Sequence, residues 1–348
     1  MYDCVASSAT VLPPPGMENW ISTTFKYLAP TKAGRLKAIR SQAIVHVMNR
    51  ATGQATLFNA IRALRPMAKS GTGLATVISG ARTGCSFCDR LAKTPANTFG
   101  RIGSRTCANI AAYDGYHGVV MFEDHNPLRF RRTYFKVDEV RDLMNVSNRW
   151  AEKCHAEDPT ARFFFLMWNC LWKAGASMIH GHAQMTVGRE FHYGKVERMR
   201  RDALCYKERT GFDYFEEFIA IHKALGLVTE WGQVTAVSHL TPAKEREVIL
   251  VTNRSDNPDL PRAIWSVLKM YAAQGVKSYN VAMYMPPIGK SDPKWRDFPV
   301  LVHLVDRGDP AVRTNDIGAM EMYASAVVAT DPFAVAELVH RLPGPDFR

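Results

Sequence analysis

The feature that most constrains the fold of this chain is a repeated order of predicted elements. Two predicted strands, a helix and two further strands occupy about residues 109–187, and the same order returns at about 231–306. Runs such as RFFFLMWN and EREVILVTN are rich in β-branched and aromatic residues, which favours strands, whereas residues 136–156 place apolar side chains at helical spacing. The repeat predicts an α+β fold of two pseudo-duplicated units, each an antiparallel sheet with a flanking helix, lying edge to edge.

The chain divides into three predicted regions. Residues 1–37 contain the stretches LPPPG and APTKAG and little periodicity, so they are expected to form a loosely attached N-terminal extension. The first unit is expected over residues 38–200 and the second over residues 201–348. The total length of 348 residues is enough for each unit to bury a core of its own.

The composition argues against several classes of protein. Hydrophobic residues make up 47% of the chain and charged residues 22%, as in ordinary soluble domains. No run approaches the roughly 20 apolar residues of a membrane helix, and the N-terminus lacks the regions of a signal peptide. We therefore expect a cytoplasmic protein with no membrane partner. Seven scattered cysteines, an odd number, favour reduced thiols or a metal site over a disulfide framework.

The net charge indicates an anionic ligand without identifying it. A formal charge of +11 suits nucleic acid, an anionic surface or a small phosphorylated substrate. The basic residues are dispersed and nowhere form a run of five or more. This dispersal favours a small anionic substrate and predicts no nucleic-acid partner, since binding to nucleic acid would rest on charge alone and would depend steeply on salt.

The segment GASMIHGHAQMTV, residues 175–187, carries the strongest chemical signal. In an extended segment alternate side chains project from one side, so His180, His182 and Gln184 would share a face. A largely neutral imidazole is a capable nucleophile, and attack on phosphorus would give a phosphoramidate that a second acceptor can displace. Small residues upstream would let the backbone approach a phosphate and donate to its oxygens; they are Gly175, Ala176 and Ser177. The alternative is a strand whose polar groups are merely satisfied by packing.

The CSFC motif, with Cys85 and Cys88, is a candidate metal clip. A C-x-x-C pair binds metal when two further ligands converge, and is a redox pair when it opens a thioredoxin-like helix. His125 and His180 would complete a Cys2His2 set suited to tetrahedral zinc. Four protein ligands leave no open position, so such a zinc would be structural. The alternative is that both cysteines simply pack.

The IRALRP segment contributes two arginines, Arg62 and Arg65. Paired guanidinium donors at the end of a strand can bind phosphate oxygens. Taken alone, the two residues are more typical of an exposed surface than of a binding site.

Together these residues resemble a known family. Asn169 stands ahead of the H-G-H-A-Q sequence with GAS between, which resembles the active-site signature of the galactose-1-phosphate uridylyltransferase group of the histidine triad superfamily. In that group glutamine replaces the third histidine of the hydrolases. TGQATLFNAIRALRP, CSFC and ANIAAYDGYHGVVMFEDHNP are similar to the group's N-terminal segment, zinc clip, and nucleotide loop with its zinc-histidine strand. The resemblance runs in order from about residue 50 to 187 and more weakly over 231–340.

The resemblance assigns roles to individual positions. It implies that His182 takes up a nucleoside monophosphate and that zinc is held by Cys85, Cys88, His125 and His180. The remaining implied contacts are Gln184 and Ser177 to phosphate oxygens, Arg62 and Arg65 to the sugar phosphate, and Asn109 and Asn169 to the nucleotide, with Asn97 as a rival to Asn109. A homodimer is implied as well.

The glutamine has a physical consequence for the expected reaction. A neutral amide can orient a phosphate but cannot protonate a poor leaving group. A phosphate leaving group, whose second pKa is about 6, needs no such acid. Transfer is therefore favoured over hydrolysis, through a ping-pong mechanism. The resemblance implies that the group transferred is a nucleoside monophosphate, that its donor is a nucleoside diphosphate sugar of the UDP-hexose class, and that its acceptor is a sugar 1-phosphate. The alternatives are a phosphorylase of nucleotide sugars or dinucleoside polyphosphates that uses inorganic phosphate, and a non-catalytic nucleotide-binding zinc protein.

The second unit departs from the family pattern and reads as degenerate. PVLVHLVDRG keeps only His303 where the family often has a histidine pair, so no second metal is expected. NDIGAMEMYASAV, residues 315–327, resembles a family segment that meets the sugar in the two-fold-related subunit.

Overall fold

A computed structural model describes residues 1–64, 71, 73–89, 93–128, 137–289 and 293–342 of the chain. The strands are β1 (Tyr2–Thr10), β2 (Ser41–Asn49), β3 (Ala55–Phe58), β4 (Thr106–Ala108), β5 (Tyr116–Met121), β6 (Ala161–Asn169), β7 (His182–Arg189), β8 (Val228–Trp231), β9 (Val234–Ser238), β10 (Glu245–Thr252), β11 (Tyr279–Tyr284), β12 (Val300–Asp306) and β13 (Ala326–Val328). The helices are α1 (Glu18–Thr24), α2 (Lys32–Arg40), α3 (Leu74–Gly80), α4 (Val137–Glu157), α5 (Gly194–Thr210), α6 (Tyr214–Ala224), α7 (Leu260–Ala273), α8 (Ala319–Tyr323) and α9 (Pro332–His340). In the described part of the chain, no helix is both long and apolar enough to span a membrane.

The main sheet has nine strands in the order β4-β5-β7-β6-β11-β12-β10-β9-β8. Read outward from its centre, β6-β7-β5-β4 on one side matches β11-β12-β10-β9 on the other. The halves join where β6 pairs antiparallel with β11, with Asn169 opposite Asn280. This topology confirms the predicted pseudo-duplicated α+β units, their antiparallel sheets and their edge-to-edge contact.

Helices α4 and α7 cover one face of this sheet and form the main core with it. Trp150 of α4 is fully buried against β5. Gly118 of β5 makes room for it, because a Cβ at this position would lie 2.6 Å from the indole ring. Burying a large apolar side chain contributes about 1.5–3 kcal/mol. The same contact fixes the strand segment that carries His117.

The opposite face differs between the two units. In the second unit, helices α5 and α6 lie on it, and Phe215 and Phe218 pack in one cluster with Ile249 and Leu301 of the sheet. In the first unit this face carries His182 and Gln184, each cross-strand from an apolar residue of β5. Because α5 and α6 cover this face in the second unit, the functional side chains are expected on the same face of the first unit.

The first 37 residues are more ordered than their sequence indicates. Strand β1 pairs with β2 along its whole length, from Tyr2 opposite Asn49 to Thr10 opposite Ser41. It forms the edge of a four-stranded sheet of order β1-β2-β3-β13, in which β3 and β13 run parallel. The prediction of a loosely attached arm is therefore wrong for this segment. Most of β1 is exposed on both faces, so backbone pairing defines it without an apolar alternation.

Candidate active site and metal centre

The four predicted zinc ligands converge at one point. One ligand atom from each of Cys85, Cys88, His125 and His180 lies within 4.8 Å of the others. Cys88 Sγ is 3.5 Å from Nδ1 of both histidines, and Cys85 Sγ is 3.7 Å from His180 Nδ1. Tetrahedral zinc with its usual Zn–S and Zn–N bonds requires a sulfur-to-nitrogen separation of about 3.6 Å. The donor set and its spacing fit a closed zinc site.

Hydrogen bonds on the far side of each imidazole support the same conclusion. His125 Nε2 donates to the Ile78 carbonyl at 3.0 Å, and His180 Nε2 donates to the Phe122 carbonyl at 2.9 Å. A neutral imidazole has one N–H, so each Nδ1 turns a lone pair toward the thiols. Backbone partners of this kind are typical of histidines that bind zinc.

His182 is buried directly beside this cluster. Its Nδ1 lies 2.7 Å from the His180 carbonyl, to which it donates, so the lone pair of the ring is on Nε2. Burial lowers the pKa of His182 more than the hydrogen bond to the carbonyl raises it. The ring is therefore neutral and nucleophilic near pH 7. Phe87 of the CSFC motif contacts it edge-on, with ring centroids 5.2 Å apart.

The local backbone differs in one respect from the predicted strand. Strand β7 begins at His182, and His180 lies in a bend before it. The extended conformation that we predicted through His180 is wrong at that residue. The bend is what brings the His180 carbonyl onto the ring of His182.

Gln184, two residues further along β7, is held by side chains from β5 and the loop before it. Its Oε1 is 2.9 Å from His117 Nε2 and 3.2 Å from Asn109 Nδ2. The rival Asn97 instead accepts a hydrogen bond from Trp150 Nε1 at 3.0 Å. His117 was missed at the sequence level. The available signal was the alternation of His117 with Val119 and Met121, which puts a polar side chain on the same face of β5 as two apolar ones.

Asn169 ends β6, and continuing the β6–β7 register places it opposite His182. Asn280 Nδ2 donates one hydrogen bond to Asn169 Oδ1 at 2.6 Å and another to the Ala174 carbonyl at 2.9 Å. Asn280 thus connects β6 with the loop that leads to His182. In this loop Gly175 adopts φ +93°, which favours glycine, Ala176 is buried and Ser177 is exposed.

Arg62 lies in a charged cavity of about 330 Å³ rather than in contact with His182. The cavity is lined by basic and acidic side chains, namely Arg62, Lys173, Lys244, Arg246, Arg307, Glu245, Asp306, Asp309, Asp316 and Glu321. Arg307 donates to Asn280 Oδ1 at 2.5 Å, so a chain of hydrogen bonds connects this cavity with Asn169. Arg65 is outside the described residues.

The second unit contains a buried polar cluster around His303. Glu247 Oε1 is 2.9 Å from His303 Nδ1, and its Oε2 is 3.4 Å from His239 Nδ1. The Ala243 amide also donates to Oε2, at 2.6 Å. Burial alone would raise the pKa of Glu247, but the hydrogen bonds from His239 and His303 outweigh it and lower the pKa. His239 and Glu247 were not predicted from the sequence.

Several solved structures share the fold of this chain at low sequence identity. No family model matches the chain, and no curated protein matches its sequence. Among solved structures, an ADP-glucose phosphorylase from Arabidopsis thaliana with bound ADP-glucose is 17% identical, with a TM-score of 0.63 over 85% of this chain and 98% of the other. A GalT-like protein from Arabidopsis thaliana is 16% identical, with a TM-score of 0.62 over 85% and 98%. A uridylyltransferase is 13% identical, with a TM-score of 0.57 over 85% and 97%. These likenesses confirm the fold that the sequence resemblance predicts.

Proposed function

We propose that this chain is a nucleotidyltransferase that passes a nucleoside monophosphate through a covalent intermediate on His182. The donor is a nucleoside diphosphate sugar of the UDP-hexose class, and the acceptor is a sugar 1-phosphate. One observation carries the proposal: His182 is neutral, its Nδ1–H is bound to the His180 carbonyl, and its Nε2 lone pair is left free. The shared fold with a structure that holds ADP-glucose supports it.

The first half-reaction is a displacement at the α-phosphorus of the donor. The Nε2 lone pair of His182 forms the N–P bond, and the bond to the bridging oxygen breaks. Its electron pair leaves with the sugar 1-phosphate, which needs no proton at neutral pH. The nucleotidylated ring carries a positive charge. The hydrogen bond from Nδ1 to the His180 carbonyl becomes charge-assisted at that stage and stabilises the intermediate.

The second half-reaction reverses these roles. A phosphate oxygen of the acceptor attacks the same phosphorus, the N–P bond breaks, and its electrons return to Nε2 as a lone pair. Gln184 and Ser177 are proposed to donate to the phosphate oxygens in both steps, through an amide and a hydroxyl group. Asn169 and Asn109 are proposed to lie on the nucleotide side.

Zinc is proposed to be structural. It would be held by Cys85, Cys88, His125 and His180, whose geometry fits four-coordination. When bound it supplies a fixed anchor for the bend at His180. The chain's own part is to hold the His180 carbonyl, and through it the ring of His182, in one orientation.

A homodimer is part of the proposal. Helix α8 exposes Met320, Met322 and Tyr323, the last of these 82% accessible. A second copy of the chain would cover these apolar side chains and bring residues 315–327 toward the sugar of its neighbour.

A phosphorylase is the second candidate. The neighbour that holds ADP-glucose is described as a phosphorylase, for which inorganic phosphate is the acceptor. The first half-reaction is unchanged in this case. Only the acceptor that releases the nucleotide from His182 differs. The non-catalytic alternative, a nucleotide-binding zinc protein, predicts no covalent adduct.

Intact-mass measurement tests the proposal. The protein is incubated with UDP-glucose, ADP-glucose or diadenosine tetraphosphate, and then with galactose 1-phosphate or inorganic phosphate. We expect a mass increase of one nucleoside monophosphate with at least one donor and its loss on addition of one acceptor. His182→Asn should remain unlabelled, whereas the matched control His192→Asn, a buried histidine bonded to the Met285 carbonyl, should label. Absence of an adduct with all three donors would contradict the proposal.

A further inference from the structure

His117 is a buried histidine that the reaction above does not use. It lies on β5 and is 3% exposed. The ring of Tyr113 lies over it, with centroids 4.5 Å apart. Strand β5 pairs with β7, the strand of the nucleophile, and His117 stands opposite Thr186. Its side chain extends to Gln184 rather than to solvent.

The hydrogen bonds of His117 determine which nitrogen carries its proton. The Tyr113 backbone N–H donates to Nδ1 at 3.0 Å, so Nδ1 must hold a lone pair. The neutral ring therefore carries its single N–H on Nε2. That N–H donates to Gln184 Oε1 at 2.9 Å. His117 is thus a donor to the glutamine, and Gln184 must present its oxygen to it.

Asn109 fixes the same end of Gln184 independently. The Ala111 amide donates to Asn109 Oδ1 at 3.0 Å, which identifies the other terminal atom as the Nδ2 donor. Nδ2 lies 3.2 Å from Gln184 Oε1. Gln184 Oε1 therefore accepts from two donors. Rotating the amide by half a turn would set its NH2 group against both of them.

We infer that His117 is a positioning residue, which with Asn109 locks the Gln184 amide so that its N–H groups, and not its oxygen, face the phosphate transferred to His182. This inference rests on the proposed function. Gln184 Nε2 has no hydrogen-bond partner among the described residues, so both of its N–H groups are available. A glutamine free to rotate would spend part of its time with the carbonyl oxygen directed at the anionic phosphate, where it repels.

A double-mutant cycle tests whether His117 acts through Gln184. The rate of adduct formation is measured in single turnovers, at saturating donor, for the parent, His117→Phe, Gln184→Ala and the double variant. Losing one neutral hydrogen bond predicts a rate about 10-fold lower for His117→Phe. In the Gln184→Ala background the same change should have no further effect. Equal effects in both backgrounds, or no effect in either, would overturn the inference.

A conservative variant separates positioning from folding. His117→Gln keeps an N–H donor at about the reach of Nε2, so it should recover most of the rate lost in His117→Phe. Thermal unfolding and zinc content of both variants show whether they are equally folded. If His117→Gln is as slow as His117→Phe while both are folded, the donor is irrelevant and the inference fails.

One readout does not depend on activity. Nitrogen-15 spectra of the histidine side chains report the tautomer of each neutral ring, and His117 is assigned by its absence in His117→Phe. The Nε2–H tautomer is expected, and the Nδ1–H tautomer would overturn the inference. The outcomes also separate the two claims, because an unlabelled parent contradicts the proposed function, whereas a labelled parent matched by His117→Phe contradicts this inference alone.

Discussion

The backbone carbonyl of His180 accepts a hydrogen bond from Nδ1 of His182 at 2.7 Å. The same residue that contributes its side chain to the Cys2His2 cluster thus orients the proposed nucleophile with its main chain. The proposed function therefore implies that metal binding and the orientation of His182 are coupled through a single residue. Disturbing the cluster should therefore change the orientation of His182, even though no side chain of the cluster is proposed to contact the substrate.

Cys88→Ser should lower both zinc content and adduct formation. Replacing an outer partner of a metal ligand lowers metal affinity roughly 10- to 100-fold, and losing a ligand should cost more. Zinc is measured by elemental analysis of the purified protein, and labelling by intact mass. Cys205→Ser, at an exposed cysteine of α5, is the matched control and should change neither zinc content nor labelling. A Cys88→Ser protein that lost zinc but labelled at the parent rate would disprove the coupling.

Gly118→Ala should destabilise the protein and slow labelling together. The added Cβ would lie 2.6 Å from the Trp150 indole, so the strand or the ring must move. Overpacking of this kind typically costs about 1–3 kcal/mol of the free energy of unfolding. The shift would also displace neighbouring His117. Urea denaturation measures the loss, and Gly194→Ala, where an added Cβ meets nothing within 4 Å, should show little. Equal stability of the two variants would contradict the packing argument.

Asn280→Ala should slow adduct formation without loss of zinc. The variant removes the hydrogen bonds to Asn169 and to the Ala174 carbonyl, which hold the loop carrying Ser177. A typical net value of about 1 kcal/mol for each bond predicts a rate lowered by about 10-fold or more. Single-turnover labelling and elemental analysis measure the two quantities. Parent-like labelling would show that the loop keeps its conformation without Asn280.

Glu247→Gln should destabilise the second unit in a pH-dependent manner. A buried hydrogen bond to a charged group is worth about 1.5–3 kcal/mol, and the amide of the variant removes the charge of Glu247. The pKa of Glu247 is lower in the folded state than in the unfolded state, where it is about 4.3. The charged carboxylate therefore contributes its full stabilisation above about pH 4.3, and this stabilisation is lost as the pH falls through the folded-state pKa. Urea unfolding should therefore separate parent and variant at pH 7 and bring them together in acid. Glu216→Gln, at an exposed position, is the control and should change the free energy of unfolding little at either pH. A stability difference between parent and Glu247→Gln that grew toward low pH would contradict the prediction.

The sequence was sufficient for the parts of the site that chemistry constrains tightly. C-x-x-C with two histidines, and a histidine two residues beyond one of them, leave few arrangements open. The four predicted ligands do converge, and His182 does lie beside them.

The parts that the sequence did not reveal depend on long-range pairing. Asn280 meets Asn169 only because β11 joins β6 in one register, and His117 reaches Gln184 only through the pairing of β5 with β7. Glu247 is an ordinary glutamate in the sequence until folding buries it between two histidines. Strand β1 has no alternation of apolar residues that would predict a strand. It is ordered by its backbone pairing with β2, which the sequence does not reveal.

Peptide mapping of the labelled protein tests the central claim most directly. After reaction with the donor that gives an adduct, the protein is digested under alkaline conditions, in which a phosphoramidate survives, and the modified residue is located by fragmentation. The account predicts one nucleoside monophosphate on His182 and its removal by the acceptor. A nucleotide found on any other residue, or full turnover by His182→Asn, would contradict it.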